Sequence, residues 1–461
     1  MMNSTFSTAD FEQMQRFFLS GATKSYAFRK EQLKTLRIAI QQYEQQLTEA
    51  LFRDLHKSPE EAYATEIGFV YAELSHAEKY LQNWIEPQRV SSPLFLFPSS
   101  SKVVREPLGV TLIISPWNYP FHLLFAPLIG AIAGGNCAIL KPSELAVHTS
   151  AVIVEMIPAF FDSKFIRVTE GAGATVVPEM MNKNRFDHVF FTGSLAVGRE
   201  IAQLAAQKLV PVTLEMGGKS PCIVDRDVDV KVAARRITWG KFSNTGQTCV
   251  APDYLLVHED RKDELLEKIE ASIELFYGNN PQQSASYGRI INEQRFDRLQ
   301  SFLQQGKIVT GGQTKREDLY IAPTVMEDVG LSQPIMQEEI FGPILPVLTY
   351  KNSDEALNII QTNPNPLSLY VFSSNKKTEQ LYFEKVNFGG GCINNTLVHL
   401  GNPELPFGGV GNSGVGTYHG KFSFDAFTRP KAYLKTATWI DPALIYPPYK
   451  GKMKIFKWFL R

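Results

Sequence analysis

Cysteine is scarce in this chain: Cys137, Cys222, Cys249 and Cys392 are the only four in 461 residues. So few thiols cannot staple a chain of this length, and no two form a C-x-x-C pair. Neither a disulfide scaffold nor a zinc knuckle organises the fold, no metal site is expected, and a reducing, cytosolic setting is. A surplus of either charge is also missing. With 47 Lys+Arg against 47 Asp+Glu the chain lacks the basic excess of a nucleic-acid binder. Long apolar runs are absent as well. No charged residue lies between Glu106 and Lys141, yet Pro107, Pro116, Pro120, Pro127, Gly130, Gly134 and Gly135 break that stretch. A membrane-spanning helix needs about 20 unbroken apolar residues; a buried strand, loop, helix and second strand fit the punctuation better. Asp10 and Glu12 precede any apolar run at the N-terminus, which argues against a secretory leader. Neither a G-x-G-x-x-G fingerprint nor a Walker lysine motif is present.

What is present describes a folded, multi-domain chain. Hydrophobic residues make up 44% and charged residues 20%, too apolar for disorder. At roughly 100–200 residues per domain the length suggests two to four domains. Leu33, Leu36, Ile40, Tyr43 and Leu47 recur at helical spacing. So do Tyr63, Ile67, Val70, Leu74, Ala77, Leu81 and Trp84, up to Pro87. A short extended stretch, VSSPLFLFPSSSKVV, follows. Then β-branched runs (VTLIIS, CAILKP, FIRVTEG, HVFFTGS, VPVTLEMGG) alternate with helical segments at 144–160 and 197–208. A second series starts near Gly218 with SPCIVDRD and continues through DYLLVHED and a charged helix from Asp260. Strand alternating with helix is the signature of crossover units on a parallel sheet. The fold expected is α/β, with two parallel-sheet domains of similar size and a smaller appendage.

Several side chains could carry chemistry. Cys249, in SNTGQTCVAP, sits on a polar, glycine-containing loop where a thiol can attack a carbonyl. A free Cys is more often a small buried hydrophobe, and Cys137, Cys222 and Cys392 fit that description. Glu215 ends a hydrophobic strand directly before Gly217-Gly218. A carboxylate desolvated there has a pKa raised toward general-base range, whereas an ordinary strand-end Glu would turn to solvent. Asn118, in ISPWNYPF, follows the VTLIIS strand at the carboxyl edge where α/β sheets place ligands. Its amide suits an oxyanion, a role worth about 3–4 kcal/mol, although Pro116 and Pro120 make a plain turn Asn equally reasonable. Lys141 and Glu144, in LKPSE, could bond ribose hydroxyls. FTGSLAVG, with Gly193, Ser194 and Gly198, offers a helix N-terminus for a pyrophosphate. QEEIFGPILPV places Glu338, Glu339 and Phe341 before a Gly-Pro turn.

Taken in order, EPLGV, SPWNYPF, LKPSE, FTGSxxVG, LEMGGKSP, GQTC, EEIFGP and PFGG resemble the aldehyde dehydrogenase superfamily across residues 106–409. The ending GVGTYHGKFSFDAFTRPK and the short N-terminus resemble its class 3 branch, which includes fatty and aromatic aldehyde dehydrogenases. The resemblance implies two Rossmann-like domains with a small bridging β element. Residues 1–88 and 106–217 would bind NAD, residues 218–410 would form the catalytic domain, and 89–105 with 411–461 would bridge subunits of a homodimer. Carried over by motif, Cys249 is the nucleophile, Glu215 the general base and Asn118, with the Cys249 N–H, the oxyanion hole. Lys141 and Glu144 fall on the adenosine ribose, Gly193, Ser194 and Gly198 on the pyrophosphate, Glu339 on the nicotinamide ribose and Phe341 near the nicotinamide. Trp117 is grouped with the cofactor contacts and Tyr119 with the substrate pocket, both as apolar flanks of Asn118. Met216 and Leu195 depart from common family residues, with no expected effect on those roles.

The implied reaction is oxidation of an aldehyde, long-chain aliphatic or aromatic, to the acid through a Cys249 thioester. NAD is the expected cofactor, with some use of NADP because Lys141 softens the repulsion between Glu144 and a 2′-phosphate. A CoA-acylating enzyme needs no water-activating base, and a non-catalytic protein on this fold would have no need of Cys249, Glu215 and Asn118 together. After Asp441 the chain has no acid, while Lys450, Lys452, Lys454, Lys457 and Arg461 lie among Ile455, Phe456, Trp458, Phe459 and Leu460. That composition suits peripheral membrane contact or a helix folded over the substrate entrance.

Overall fold

The computed structural model describes residues 7–441 and 443–460; the first six residues, within the stretch that argues against a secretory leader, and Arg461 of the basic tail lie outside them. Two mainly parallel sheets dominate the structure. The first has six strands in the order Gly414–Val415, Val212–Glu215, His188–Thr192, Val110–Ile114, Cys137–Lys141 and Ile166–Val168, all parallel except the short first one. The second has seven, in the order Lys307–Thr310, Thr324–Glu327, Ile344–Tyr350, Tyr254–His258, Pro221–Val224, Ser368–Phe372 and Gly390–Ile393, with only the first antiparallel. Most central strands are buried along their whole length, as their near-continuous apolar runs require of sheets covered on both faces.

In the first sheet the chain runs outward from Val110–Ile114 to Ile166–Val168, then returns to the other side with His188–Thr192. The strand order therefore reverses beside Val110–Ile114, and the carboxyl ends of the flanking strands open a crevice there. The uncharged stretch between Glu106 and Lys141 is the centre of this sheet. It forms the strand Val110–Ile114, the helix His122–Gly134, whose residues are all buried, and the strand Cys137–Lys141. Among the described residues no helix is long and apolar enough to cross a membrane.

The N-terminal helices cover this sheet. Ser25 caps the helix Tyr26–Leu55 by accepting from the Phe28 N–H, and Ser58, followed by Pro59, starts the next short helix. The second apolar period is not one uninterrupted helix. A π-helical turn at Tyr63–Ile67 precedes the helix Gly68–Ile85. The extra residue of that turn slips the register, so Tyr63, expected on the apolar face, is exposed and Glu66 faces inward.

A third, antiparallel sheet joins Gln88–Val90, Ser99–Pro107 and Thr428–Thr436. The boundary at 410 is drawn differently by the structure. Gly414–Val415 pairs with Val212–Glu215, and the helix Gly420–Ala426 packs on the His122–Gly134 helix, so within 411–461 only the stretch from Thr428 joins the third sheet. The glycine-rich GGVGNSG segment carries no periodicity from which that return could be read.

Candidate active site

Cys249 stands between the helix Val230–Phe242 and the strand Tyr254–His258. The loop before it is sharply folded, with left-handed backbone at Asn244, Thr245 and Gly246 (φ 49, 55 and 71°). Gln247 locks it: its side chain donates to the carbonyls of Asn244 (3.2 Å) and Arg289 (2.9 Å) and accepts from the Ile291 N–H (3.1 Å). The Cys249 side chain is half-buried, and the other three cysteines are buried. Burial first, then the carboxyls of Glu339 and Glu215, push its thiol up to about 12.

Glu215 ends the strand Val212–Glu215 and is 1% exposed. Neither carboxyl oxygen has a hydrogen-bond partner. Burial alone raises its pKa well above the ordinary value. Cys249 and Glu215 line one cavity of about 710 Å³, whose walls include Phe69, Tyr119, Trp239, Tyr277 and Phe407. His122 and His419 also line it, and burial lowers their pKa to about 4 and about 3. Met216 is part of the same wall, so a residue set aside as a harmless departure shapes the cavity.

Asn118 follows the strand Val110–Ile114 and is 2% exposed. Its Nδ2 donates to the Gln247 carbonyl at 3.0 Å, two residues before Cys249. An amide nitrogen has two N–H groups, and this bond uses one. Tyr119 and Thr248 share a 2.7 Å hydroxyl bond on the cavity wall. Trp117 turns the other way. It packs edge-to-face on Phe341 (5.3 Å between centroids) in a separate cluster with Leu55, Ala146 and Ile291. Of the two aromatic flanks, only Tyr119 belongs to the cavity.

The remaining candidates gather on the crevice side of the first sheet. Lys141, at a strand end and 2% exposed, donates to Glu144 at 2.9 Å, and the Gly173 N–H donates to the other Glu144 oxygen at 2.8 Å. Burial opposes ionisation of Glu144, but Gly173 and Lys141 outweigh it and hold its carboxyl below the ordinary range. Ser194 caps the helix Leu195–Ala206 next to Gly193, and Gly198 lies where a Cβ would come within 2.4 Å of Met216 Sδ. Glu339 lies over Gly217, where a Cβ would meet its Oε1 at 2.2 Å. That close approach is what the glycine pair permits. Glu339 Oε1 has no partner, and burial, then Asp253, raises this carboxyl to about 8. Glu338 stays outside, exposed and paired with Arg298 at 3.1 Å. Among the described residues no group of acids, histidines and cysteines could hold a metal ion.

The model of the aldehyde dehydrogenase family matches residues 9–433. The chain belongs to the aldehyde dehydrogenase family. It is an oxidoreductase acting on aldehydes. The 4,4'-diaponeurosporen-aldehyde dehydrogenase of Staphylococcus aureus is 51% identical over 453 residues, 98% of each chain. Aldehyde dehydrogenase family 3 member H1 of Arabidopsis thaliana is 44% identical over 451 residues, covering 96% of this chain and 93% of that one. A substrate-bound structure of Staphylococcus aureus AldH superposes with a TM-score of 0.96 at 50% identity, over 98% of this chain and 99% of that one.

This aldehyde dehydrogenase site also rests on groups that the motif reading does not single out. Lys57 and Glu66, both fully buried, bond each other at 2.6 Å behind Asn118. Lys219 donates to Asp253 (2.6 Å) and to the carbonyls of Ile335 and Glu338, while Asp253 accepts from the Ile340 N–H (3.1 Å). This pair fixes the turn that carries Glu339. Lys241 is fully buried 4.0 Å from Asp253, and burial lowers it to about 8. Lys219 stands in LEMGGKSP itself; Lys57, Glu66, Asp253 and Lys241 are single charged residues whose inward orientation only the fold sets.

Proposed function

We propose that the protein oxidises long-chain aliphatic or aromatic aldehydes to carboxylic acids, with NAD preferred over NADP and a thioester on Cys249 as the intermediate. The observation that carries this reading is the shared cavity. A thiol and an unpartnered carboxyl line one largely apolar space beside a partly used amide.

The Cys249 thiol, held neutral by its surroundings, gives its proton to a carboxylate and attacks the aldehyde carbon. Glu215 is the neighbouring group whose raised pKa suits it to take that proton. The second Asn118 N–H and the Cys249 backbone N–H stabilise the oxyanion of the thiohemiacetal. A bound nicotinamide supplies the hydride acceptor. Once that proton has passed to solvent, the Glu215 carboxylate removes a proton from water, the water adds to the Cys249 thioester, and the Cys249 thiolate is expelled, takes the proton back from Glu215 and releases the acid. The reading of Glu215 as a water-activating base favours hydrolysis over transfer of the acyl group to CoA.

The crevice fits a dinucleotide. Glu339 Oε1 is a buried acceptor without a donor, suited to a ribose hydroxyl. The capped helix at Ser194 is suited to a pyrophosphate, and Lys141 with Glu144 to the second ribose. The Glu144 carboxylate disfavours a 2′-phosphate, and Lys141 moderates that preference. The apolar cavity supports large, uncharged aldehydes, in keeping with the aldehyde named for the Staphylococcus aureus relative.

Exposed Val90, Leu94, Phe95, Phe97, Tyr433 and Leu434 on or beside the third sheet support a homodimer bridged there. The tail supports peripheral membrane contact. Its helix Met453–Phe459 presents exposed Met453, Ile455 and Trp458 beside Lys450, Lys454 and Lys457, and among the described residues none beyond His419 lines the cavity. Four free thiols support a reducing, cytosolic setting.

The test mixes protein, NAD and aldehydes of increasing chain length and follows reduced cofactor with and without CoA. Turnover without CoA that improves with chain length supports the reading. A CoA requirement, or activity surviving Cys249→Ala, overturns it. Liposome co-sedimentation of the full chain against one ending at Tyr446 tests the tail: equal pelleting rejects membrane contact.

A further inference from the structure

Behind the oxyanion side of the site lies a charge pair that never reaches the cavity. Lys57 Nζ donates to Glu66 Oε1 at 2.6 Å and to the backbone carbonyl of Asn118 at 3.0 Å, and lies 4.0 Å from the centroid of the Tyr119 ring. Glu66 Oε2 accepts the N–H groups of Phe121 (2.9 Å) and His122 (3.1 Å) at the start of the buried helix His122–Gly134. One ion pair thus holds both ends of the loop 118–122. On the far side, Asn244 Nδ2 bonds the same Asn118 carbonyl at 2.9 Å and the Gln247 carbonyl at 3.1 Å, while Asn118 Nδ2 reaches Gln247 directly. The peptide of Asn118 is clamped between the Lys57 ammonium and the loop that carries Cys249.

Two features make this more than packing. Both charged side chains are fully buried, and a buried ion pair is a poor way to gain stability, since apolar side chains of similar volume usually serve as well or better. The backbone is also shaped to deliver Glu66. The π-helical turn Tyr63–Ile67 rotates it inward, and the following Gly68 admits that turn because a Cβ there would lie 2.8 Å from the Tyr63 carbonyl. Such turns mark functional positions more often than ordinary helix does.

We propose that the Lys57–Glu66 pair positions the Asn118 amide against Cys249, making Lys57 and Glu66 positioning residues for aldehyde oxidation. This rests on Asn118 being the oxyanion donor. Displacing such a donor by a fraction of an ångström costs rate rather than cofactor binding.

The experiment replaces the pair by apolar residues, Lys57→Met with Glu66→Leu, in the full chain and again with Asn118→Ala. The expected result is a melting temperature equal to or above the parent's, an NAD KM within about threefold, and kcat lower by about ten- to a hundredfold. In the Asn118→Ala chain the same replacement adds less than about twofold, because the pair acts through that amide. Unchanged kcat, or a loss that multiplies in full with Asn118→Ala, overturns the proposal. Asn118→Ala that leaves kcat intact overturns the oxyanion reading itself. Should the double replacement fail to fold, Glu66→Gln decides: it retains the shape, and kcat lower by severalfold at unchanged NAD KM supports the proposal, whereas parental kcat rejects it.

Discussion

Glu215 and Glu144 stand at or just beyond the carboxyl ends of strands in the same sheet, yet the two regions treat a carboxyl in opposite ways. On the cavity side Glu215 is fully buried with no donor to either oxygen, and burial drives its pKa up. On the crevice side Glu144 is held by Lys141 and the Gly173 N–H, which draw its pKa down. The first environment makes a carboxyl that can exchange a proton with a thiol or water. The second favours the ionised form, suited to binding and discrimination. Residue type and strand-end position are common to both; the supply of donors separates a base from a specificity element.

That contrast breaks if cavity changes act on binding, or crevice changes on chemistry. Cys249→Ala is expected to have the largest effect, a loss of four or more orders of magnitude in NADH formation, with cofactor binding by titration unchanged. Next, Glu215→Gln should lower kcat by roughly 10²–10⁴-fold, read from steady-state and single-turnover rates. The same substitution should stabilise the fold. The raised folded pKa means the native state keeps a proton that the unfolded chain loses above its ordinary value of 4.5, so stability falls as pH rises from there toward the folded value. Glu215→Gln should therefore melt higher than the parent near pH 7, and the two should converge below that ordinary value.

Glu144→Gln belongs to the other region and should leave kcat nearly alone while narrowing the NAD-over-NADP ratio of kcat/KM by about tenfold, roughly 1.4 kcal/mol. A fall in kcat with an unchanged cofactor ratio would place Glu144 in the chemistry and erase the contrast. The smallest effect is expected from Gly198→Ala, whose new methyl group meets Met216 Sδ. Thioether chains yield easily, so a loss of about 1 kcal/mol by denaturant melting is expected, with a shift in aldehyde KM because Met216 lines the cavity.

The strands of the first sheet and the loop of Cys249 were legible because their signals are local. A β-branched run announces a buried strand wherever it lies, and a residue just past it reaches the carboxyl edge. The π-helical turn was not legible. Periodicity over 63–84 gives Tyr63 an inward position, and only the backbone slip before Gly68 exchanges it for Glu66. Trp117 shows the same limit on a smaller scale, since neighbours on an irregular loop can face opposite ways and here join different clusters. The fold-back of residues 411–427 onto the first sheet was hidden because glycines carry no face.

The sequence by itself determined the α/β class, the family and the chemical alphabet of the site: thiol, carboxyl, amide and the paired Lys and Glu of the crevice. These follow from short-range pattern, which survives being read without neighbours. The tertiary structure alone decided which carboxyl is left without donors, which aromatic flank meets the cavity, and that a lysine between two N-terminal helices and a glutamate on the π-helical turn stand behind Asn118. Desolvation and pairing are set by what the rest of the chain brings within a few ångströms, and residues 57 and 118 meet only once the chain between them has folded.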